Sequence, residues 1–330
     1  MTNTLRTVRL DGLFTLRAPL SHIGESISNK SYLVQERVIQ DDGSSAEVFC
    51  YSGNAWRGQL RDLAASYMLD KLGSPRVPLD TFHLLFSGGR IGGAQSVDID
   101  QARRMRAAIP MIALFGGGVG NQILQGKLRV GNCYPLCAEA APVLPARWRE
   151  QAARVAYADC TFEKEHSRRD DAKIESVRRH LEPPVATLLG ETAEAKERKR
   201  KSVDDGPADQ MRIGMELVTP GVRLHTWIVA QDVTEIELGA LVSALHAFSA
   251  SPHIGGKCAI GYGLVDLGYE LTETQTGEVQ PFQAVEDGRS LLAPAAAAAK
   301  DAYDQHLRSL YDQMLSDQSA PIRALLAGAA

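Results

Sequence analysis

The stretch Thr7-Val8-Arg9-Leu10-Asp11-Gly12-Leu13-Phe14-Thr15-Leu16-Arg17-Ala18 sets the pattern for the fold. Apolar and polar side chains alternate along it, and a period of two predicts a strand with one buried face. We predict a β-bulge at Gly12, while Leu13 places an apolar side chain on the polar face. Pro19 ends the run, and a loop over residues 21–26 follows.

The next predicted element is a helix that begins at Ser52-Gly53-Asn54, because serine and asparagine cap helix starts. Gly73 and Pro75 mark its end. Its apolar stripe consists of Leu60, Leu63, Ala64, Tyr67 and Leu72. Arg57 and Arg61 are four residues apart and therefore share a face. That face, beside the free N–H groups of the helix start, is either an anion site or an ordinary solvated face.

The middle of the chain is rich in glycine. Phe82 to Phe86 with Gly88-Gly89 is interpreted as a hairpin, and Asp100 to Ala108 as a helix. Leu114-Phe115-Gly116-Gly117-Gly118-Val119-Gly120 is not a dinucleotide-binding fingerprint, since Gln122 to Val130 after it is predicted to be a strand and not a helix.

Charge dominates the segment from Phe162 to Pro220. The run Lys196-Glu197-Arg198-Lys199-Arg200-Lys201 is its most basic part. Such a composition is typical of a projecting insertion. Two interpretations are compatible with each other: a solvated flexible loop, or a basic arm that becomes ordered on nucleic acid.

Regular structure resumes after the insertion. Alternation predicts strands over residues 211–217 and 222–228, and Thr234 with Glu237 predicts a capping box for a second helix. That helix buries Leu238, Leu241, Leu245 and Phe248, and a last strand follows at Leu264 to Leu267. The resulting order of elements predicts an α+β protein with a ferredoxin-like βαββαβ core and large insertions.

The predicted domain organisation follows from these boundaries. The core comprises residues 1–161 and 222–270, with a finger-like region inserted at 73–113. Residues 162–221 form a projecting thumb, and residues 271–330 form a helical extension. The apolar side of that extension, which we interpret as a packing surface, consists of Tyr303, Leu307, Leu310, Tyr311 and Met314.

A glycine-rich loop precedes the last strand, Gly255-Gly256-Lys257-Cys258-Ala259-Ile260-Gly261-Tyr262-Gly263. Glycine allows close approach of the backbone to a ligand, lysine supplies charge, and tyrosine supplies a flat face. This combination suits a phosphate backbone. The alternative is a plain turn between two elements, because short glycine motifs are common.

Composition excludes several protein classes. The formal net charge of −4 means that any nucleic-acid surface is local. The five cysteines have no paired CxxC pattern and are predicted to be reduced, and Cys133 with Cys137 lacks the second ligand pair of a zinc site. The sequence near Met1 does not resemble a signal peptide, and no apolar run is long enough to span a bilayer. We therefore expect a cytoplasmic protein without a cofactor or metal.

Four motifs in order carry a family resemblance. They are Pro19-Leu20-Ser21-His22-Ile23-Gly24, Ser52-Gly53-Asn54-Ala55-Trp56-Arg57-Gly58, Leu114-Phe115-Gly116, and Gly255-Gly256-Lys257 with Gly261-Tyr262-Gly263. Together they resemble the repeated, seven-type backbone subunit of CRISPR effector complexes, in the RAMP superfamily. The resemblance covers most of residues 5–270, and the form of the helix-start motif with Trp56 and the charged insertion are most like the type IV backbone subunit.

The resemblance implies a function. Copies would stack along a CRISPR RNA into a helical filament with other effector subunits, and the guide would pair with a complementary target nucleic acid. The palm residues that would grip the RNA are His22, Ser52, Asn54, Arg57, Arg61, Gly255, Gly256, Lys257 and Tyr262. In the thumb, Arg168 and Arg169 would contact the RNA. The expected protein is not an enzyme, and no membrane is involved.

Two enzymatic alternatives stay open. Type III relatives cut their target with an aspartate in the loop after the first strand, whereas the comparable stretch here is Ile27-Ser28-Asn29-Lys30-Ser31, and Asp41 and Asp42 lie well beyond it. Repeat-processing endoribonucleases of the same superfamily use an acid or base, for which His22 is the candidate. A lone histidine is more often structural.

Overall fold

The architecture is that of a computed structural model, which describes residues 5–90, 92, 99–167 and 212–315. Arg168, Arg169, the basic run at 196–201 and most of the predicted thumb lie outside these residues. None of the described helices is both long and apolar enough to cross a membrane.

The described strands form four sheets. In chain order they are β1 (Arg6–Leu16), β2 (Ile23–Ile27), β3 (Lys30–Leu33), β4 (Gln35–Ile39), β5 (Ser45–Phe49), β6 (Gly117–Val119), β7 (Gln122–Leu124), β8 (Leu128–Val130), β9 (Tyr134–Pro135), β10 (Thr161–Ser167), β11 (Arg212–Val218), β12 (Arg223–Val233), β13 (Val265–Glu273), β14 (Val279–Glu286) and β15 (Arg289–Leu292).

The described α-helices are α1 (Gly53–Lys71), α2 (Leu79–Phe82), α3 (Ile99–Ala108), α4 (Pro110–Phe115), α5 (Ala146–Ala152), α6 (Tyr157–Cys160), α7 (Glu235–Phe248) and α8 (Pro294–Leu315). A π-helical turn, His83–Ser87, continues α2, and two 3-10 turns occupy Ala138–Val143 and Cys258–Ile260.

The main sheet is antiparallel, with strand order β15-β14-β13-β1-β12-β8 and β9 also paired to β12. In the chain, α1 lies between β1 and β8, and α7 lies between β12 and β13. The predicted α+β class is therefore confirmed. The two predicted helix starts are also confirmed: the Ser52 side chain accepts the Asn54 N–H of α1, and Thr234 and Glu237 form the capping box of α7.

One face of the main sheet carries the core. The alternate residues Val8, Leu10, Phe14 and Leu16 of β1 are fully buried, as the period of two predicted. Trp56 of α1 lies over them, with its ring centroid 5.2 Å from that of Phe14. Helices α1, α4, α7 and α8 cover this face and join one apolar cluster.

Gly12 does not form the predicted bulge. The pairing of β1 with both neighbours runs without a shift through Gly12. A Cβ at this position would lie 2.0 Å from the Gly268 carbonyl oxygen and 2.7 Å from Tyr269 Cδ1. The glycine is needed because β13 packs closely against this position. A glycine inside a strand pattern is compatible with either a bulge or close packing, so the sequence alone does not distinguish the two.

The opposite face of the sheet carries a smaller apolar cluster and a polar network. Leu13 packs against the cluster that contains Val38, Leu136 and Trp148, which explains its position on the polar side of β1. Nearby, the Asp11 carboxylate accepts hydrogen bonds from Arg9 Nε at 2.5 Å and from His225 Nε2 at 3.1 Å.

A second sheet, with order β10-β11-β3-β2, stands apart from the first. Strands β10 and β11 are antiparallel partners over their whole length, from Thr161 paired with Val218 to Ser167 paired with Arg212. Strand β10 ends directly before residues 168–211, and β11 begins directly after them. The two-stranded ribbon of β10 and β11 is therefore the base of the charged insertion.

Three local predictions need correction. Residues 82–89 form α2, the π-helical turn and a left-handed cap at Gly88 instead of a hairpin. The single strand predicted over 122–130 is divided into β7 and β8.

In the C-terminal region, 271–330 begins with sheet and not helix: β14 and β15 extend the main sheet before α8. Pro281 obscures this strand pattern in the sequence, and it lies where the β13–β14 register shifts.

The tail helix α8 packs on its own chain. Tyr303 and Leu307 are fully buried, and Leu310 is 8% exposed. A Cβ at Gly239 of α7 would lie 2.0 Å from the Ala299 carbonyl oxygen, so glycine permits this close helix contact. Tyr311 is partly exposed, and the side chain of Met314 is not among those that the structure describes.

We predict that Asp11→Asn destabilises the protein in a pH-dependent manner. Burial alone would raise the pKa of Asp11, but hydrogen bonds from His225 and Arg9 outweigh it and lower the pKa to about 2. A carboxyl group with a depressed pKa stabilises the fold above about pH 4 and loses this effect as the pH falls towards 2. The loss at pH 7 should be about 2 kcal/mol.

Urea unfolding of wild type and variant between pH 3 and 7 measures the effect. The exposed Asp41→Asn is the matched control. If the free energies of unfolding of wild type and Asp11→Asn differ by the same amount at every pH, the Asp11 network has no pH-dependent role.

Candidate nucleic-acid interface

Three segments that are distant in the sequence meet beside the start of α1. They are the connection between β1 and β2, the cap of α1, and the glycine loop at 255–263. The Gly256 N–H donates to the Ser21 carbonyl oxygen at 2.6 Å, and the Ser52 N–H donates to His22 Nε2 at 3.4 Å. The structure thus brings together His22, Ser52, Gly255 and Gly256 among the predicted palm residues.

Two glycines of the loop are required by its path. Gly255 has φ +75°, and a Cβ there would lie 2.4 Å from the Ser21 carbonyl oxygen. Gly263 also has φ +75°, and its Cβ would lie 1.9 Å from the Ile254 carbonyl oxygen. L-residues with a side chain avoid this region of backbone space, so these positions hold the loop against the β1–β2 connection.

His22 is held among aromatic rings. Its ring lies 4.9 Å from that of Tyr51 and 6.4 Å from that of Phe49, both edge-on. Because Nε2 accepts the Ser52 N–H, this nitrogen carries no proton. Burial lowers the pKa of His22, which favours the same neutral ring. The geometry assigns His22 a place in the support of the α1 cap.

The first amides of α1 already have partners. Gly53 N–H donates to Asn132 Oδ1 at 2.9 Å, and Asn54 N–H donates to Ser52 Oγ at 3.2 Å. Asn132 is held in turn by Glu36. This capping residue was missed from the sequence, because it lies far from α1 in the chain and follows no motif. The helix start is therefore less open to an anion than predicted. The Asn54 side chain is exposed.

Arg57 and Arg61 share one face of α1, as the spacing predicts, and both point to the C-terminal end of α4. Arg61 Nη2 donates to the Phe115 carbonyl oxygen at 2.6 Å and to that of Gly116 at 3.3 Å. Arg57 Nη2 makes a short hydrogen bond to the same Phe115 oxygen. Cations are stabilised at this end of a helix, where carbonyl groups lack partners.

The two arginines differ in exposure. Arg61 is 8% exposed, and burial, followed by repulsion from Arg57, lowers its pKa to about 10. Arg57 is half-buried, and burial also lowers its pKa. Both remain charged at neutral pH, but only Arg57 keeps part of its surface accessible.

The outer part of the glycine loop contains the most accessible candidate. Lys257 is exposed, with φ +62°, and no hydrogen bond or ion pair of its side chain is found among the described residues. Tyr262 is different: it is 7% exposed and packs with Met215, Leu217 and Phe162 of the β10–β11 ribbon. Lys164 Nζ lies 5.5 Å from the centre of its ring. Tyr262 therefore joins the loop to the base of the insertion, and its ring has no free face for stacking.

Ser21 adds a residue that the sequence interpretation left out of the palm. It is 1% exposed, and its Oγ has no hydrogen-bond partner in the described structure. A Cβ built on Gly256 would lie 4.0 Å from this oxygen. A buried hydroxyl without a partner is costly. Ser21 thus lies buried under the glycine loop, and its hydroxyl has no partner among the described residues.

The candidate nuclease positions form turns. Ser28 and Asn29 connect β2 and β3, and Ser28 has φ +54°. In the turn between β4 and β5, Asp42 Oδ1 accepts from the Ser44 N–H at 2.9 Å and from its hydroxyl at 2.7 Å. Within the described ranges, no three His, Cys, Asp or Glu side chains are grouped to hold a metal. Cys137 and Cys160 belong to one buried cluster, whereas Cys133 belongs to another.

A groove of the described structure lies elsewhere. It measures about 600 Å³ and lies on the sheet face opposite α1, between β1, β13, β14 and α5. Its lining includes Asp11, Asp266, Glu270 and Glu286, and Arg147 pairs with Glu270 at 2.5 Å. None of the predicted site residues lines it, and its carboxylates would repel a phosphate backbone.

Comparison with solved structures finds a similar fold. A chain of a type IV-B CRISPR complex superposes with a TM-score of 0.55 and 19% sequence identity, covering 81% of this chain and 91% of that chain. At this identity the likeness concerns the fold alone. No protein-family model and no curated protein matches the sequence.

We predict that Arg61→Ala destabilises the fold much more than Lys257→Ala. The first change removes charged hydrogen bonds to two carbonyls at the end of α4. The Phe115 oxygen keeps Arg57 as a partner, but the bond to the Gly116 oxygen is lost, so the free energy of unfolding should fall by about 1–3 kcal/mol. The second change affects an exposed side chain and should alter it by less than about 0.5 kcal/mol. Urea denaturation compares the two variants. Equal, small effects would show that the Arg61 contacts contribute little.

Proposed function

We propose that the chain is a CRISPR RNA-binding backbone subunit, of the RAMP superfamily, in a type IV-like effector complex. The observation that carries the proposal is the likeness of most of this chain to a chain of a type IV-B CRISPR complex. Four sequence motifs point to the same kind of protein, and residues of two of them, His22 and Ser52, contact each other in the structure.

The proposed core is ferredoxin-like. In a βαββαβ unit of this type, the fourth strand lies beside the first and the second beside the third. Taking β1, β8, β12 and β13 as these four strands, the observed order β13-β1-β12-β8 has that arrangement. The connections through α1 and α7 support it. The insertion between β8 and β12 then carries the thumb on the β10–β11 ribbon.

In this proposal the RNA backbone passes over the glycine loop and the start of α1. Lys257 and Arg57 supply positive charge, Asn54 supplies a polar group, and the backbone of Gly255 and Gly256 allows close approach. Arg61, His22 and Ser52 hold the elements in place, and Tyr262 anchors the loop to the insertion. Phosphate contacts of this kind give affinity without reading sequence. Sequence specificity would come from pairing of the guide with a complementary target.

We further propose that copies assemble head to tail along the guide into a helical filament, with other effector subunits at its ends. A head-to-tail contact does not close on itself and so produces an open filament. Arg168 and Arg169 remain thumb candidates that would cover the RNA. The proposed complex is cytoplasmic and needs no cofactor.

The proposed role is that of a non-catalytic scaffold. Metal-dependent cleavage of a phosphodiester usually needs a carboxylate to hold the cation. The turn after β2 has Ser28 and Asn29, and Asp42 is engaged with Ser44. The alternative of a metal-free endoribonuclease would use His22, whose neutral ring is bound at Nε2 by the Ser52 amide. The geometry favours binding over either reaction.

Replacing the accessible cations should weaken RNA binding equally for all sequences. For Lys257→Ala and Arg57→Ala we expect the slope of log affinity against log salt to fall by about one unit for each lost phosphate contact. Filter binding of unrelated single-stranded RNAs over a range of salt measures this. Arg37→Ala, an exposed residue of β4, is the matched control. An unchanged slope together with an altered sequence preference would refute phosphate contacts.

The assembled complex should bind a complementary target and leave it intact in the presence of Mg²⁺ or Mn²⁺. Incubation with end-labelled RNA and DNA targets, followed by gel analysis, gives the result. Cleavage at regular intervals, lost in Ser28→Ala or Asp41→Ala, would replace the scaffold proposal with a nuclease. Metal-independent cleavage lost in His22→Ala would favour the endoribonuclease.

A further inference from the structure

An exposed pair of stacked rings lies outside the palm. The π-helical turn that follows α2 places Phe82 and Phe86 with ring centroids 4.7 Å apart and planes inclined by 29°. Phe86 packs against the main core, whereas Phe82 is 44% exposed. The inner ring thus supports the outer one and leaves its other face to solvent. π-Helical turns are frequent at functional sites.

Cationic and aromatic groups flank the exposed ring. His83 lies edge-on to Phe82, at 5.9 Å and 68°. Arg90 is exposed, and its Nη2 lies 3.1 Å from His83 Nε2, where the arginine must be the donor. A flat apolar face beside a guanidinium group is the combination that binds single-stranded nucleic acid.

The turn is fixed to the rest of the interface. Gly88 ends it with φ +82°, and a Cβ at Gly88 would lie 2.3 Å from Arg61 Nη1. The Gly118 N–H donates to the Gly88 carbonyl oxygen at 2.7 Å, and the Gly89 N–H donates to the His83 carbonyl oxygen at 2.8 Å. The ring pair therefore belongs to the same rigid region as the arginine face of α1.

We propose that Phe82 is a stacking platform for a nucleobase, with Arg90 beside it as a contact for the adjoining phosphate. This inference rests on the proposed function and extends it from the phosphate backbone to the bases. The platform reads no sequence, because every base presents a π-face. It gives the finger-like region at 73–113 a role in holding a guide or target strand.

The alternative occupant is an apolar segment of a protein. A protein interface with this anchor would need a larger exposed apolar surround. The apolar residues Leu84 and Leu85 of the turn are buried, and the accessible side chains next to Phe82 are the polar ones of His83, Ser87 and Asp80. Leu79 is the exception, at 65% exposure one turn earlier. The single exposed ring, next to a histidine that holds an exposed arginine, favours the base.

The experiment uses the full chain and a single-stranded RNA that carries 2-aminopurine, whose fluorescence responds to stacking. For Phe82→Ala we expect RNA affinity to fall by about five-fold to a hundred-fold and the fluorescence change on binding to be reduced. Phe82→Trp should retain both, while Phe82→Leu, which is apolar but not aromatic, should lose both. Leu79→Ala, which truncates the neighbouring exposed apolar side chain, is the matched control and should bind like wild type.

The outcomes distinguish failure of the stacking role of Phe82 from failure of the proposed RNA-binding function. Wild-type affinity and fluorescence in both Phe82→Ala and Phe82→Leu overturn the platform and leave the proposed function standing. Loss of self-association in Phe82→Ala with unchanged RNA affinity also overturns it and assigns the ring to a protein contact. A wild-type chain that binds no RNA under any salt condition refutes the proposed function and the platform together.

Discussion

Trp56 lies at the centre of the core, where it joins α1 to the main sheet. Its ring is fully buried between Phe14 of β1 and Phe248 of α7, at 5.2 and 5.0 Å. Its indole N–H donates to the Tyr269 hydroxyl at 3.1 Å, which also contacts Thr226 Oγ1 at 3.0 Å. The Trp56 side chain thus holds α1 against β1, β13 and α7, and Tyr269 extends the contact to β12. Since Trp56 lies one turn into α1, it also fixes where the helix starts.

The candidate interface follows from that fixed start. The Ser52 amide binds His22, so the connection after β1 lies beside the cap, and Ser21 of the same connection binds the glycine loop. From the loop, Tyr262 reaches the β10–β11 ribbon. A continuous series of contacts therefore joins the sheet, the helix start, the loop and the base of the charged insertion. Backbone geometry supplies most of it, which explains why glycine is required at Gly255 and Gly263.

The sequence predicted local features such as helix caps, but it did not predict contacts between residues that are far apart in the chain. Caps at Ser52 and Thr234 follow short-range rules, so the helix starts were confirmed. The shared face of Arg57 and Arg61 was also predicted, but the carbonyl groups they bind belong to Phe115 and Gly116, which no helical period reveals. The strand through Pro281 was missed because a register shift accommodates the proline. Likewise, spacing alone cannot indicate that the ring of Tyr262 is buried.

The net charge of −4 is compatible with a nucleic-acid surface because of how the cations are partnered. Arg17 binds Asp266 and Arg147 binds Glu270, so these charges are neutralised locally. Arg57 and Arg61 are held instead by carbonyl oxygens, which orient a guanidinium group and leave its unit charge uncompensated. Burial lowers the pKa of both arginines, to about 10 for Arg61. If the chain binds RNA as proposed, a phosphate near this side of α1 would supply the missing negative charge.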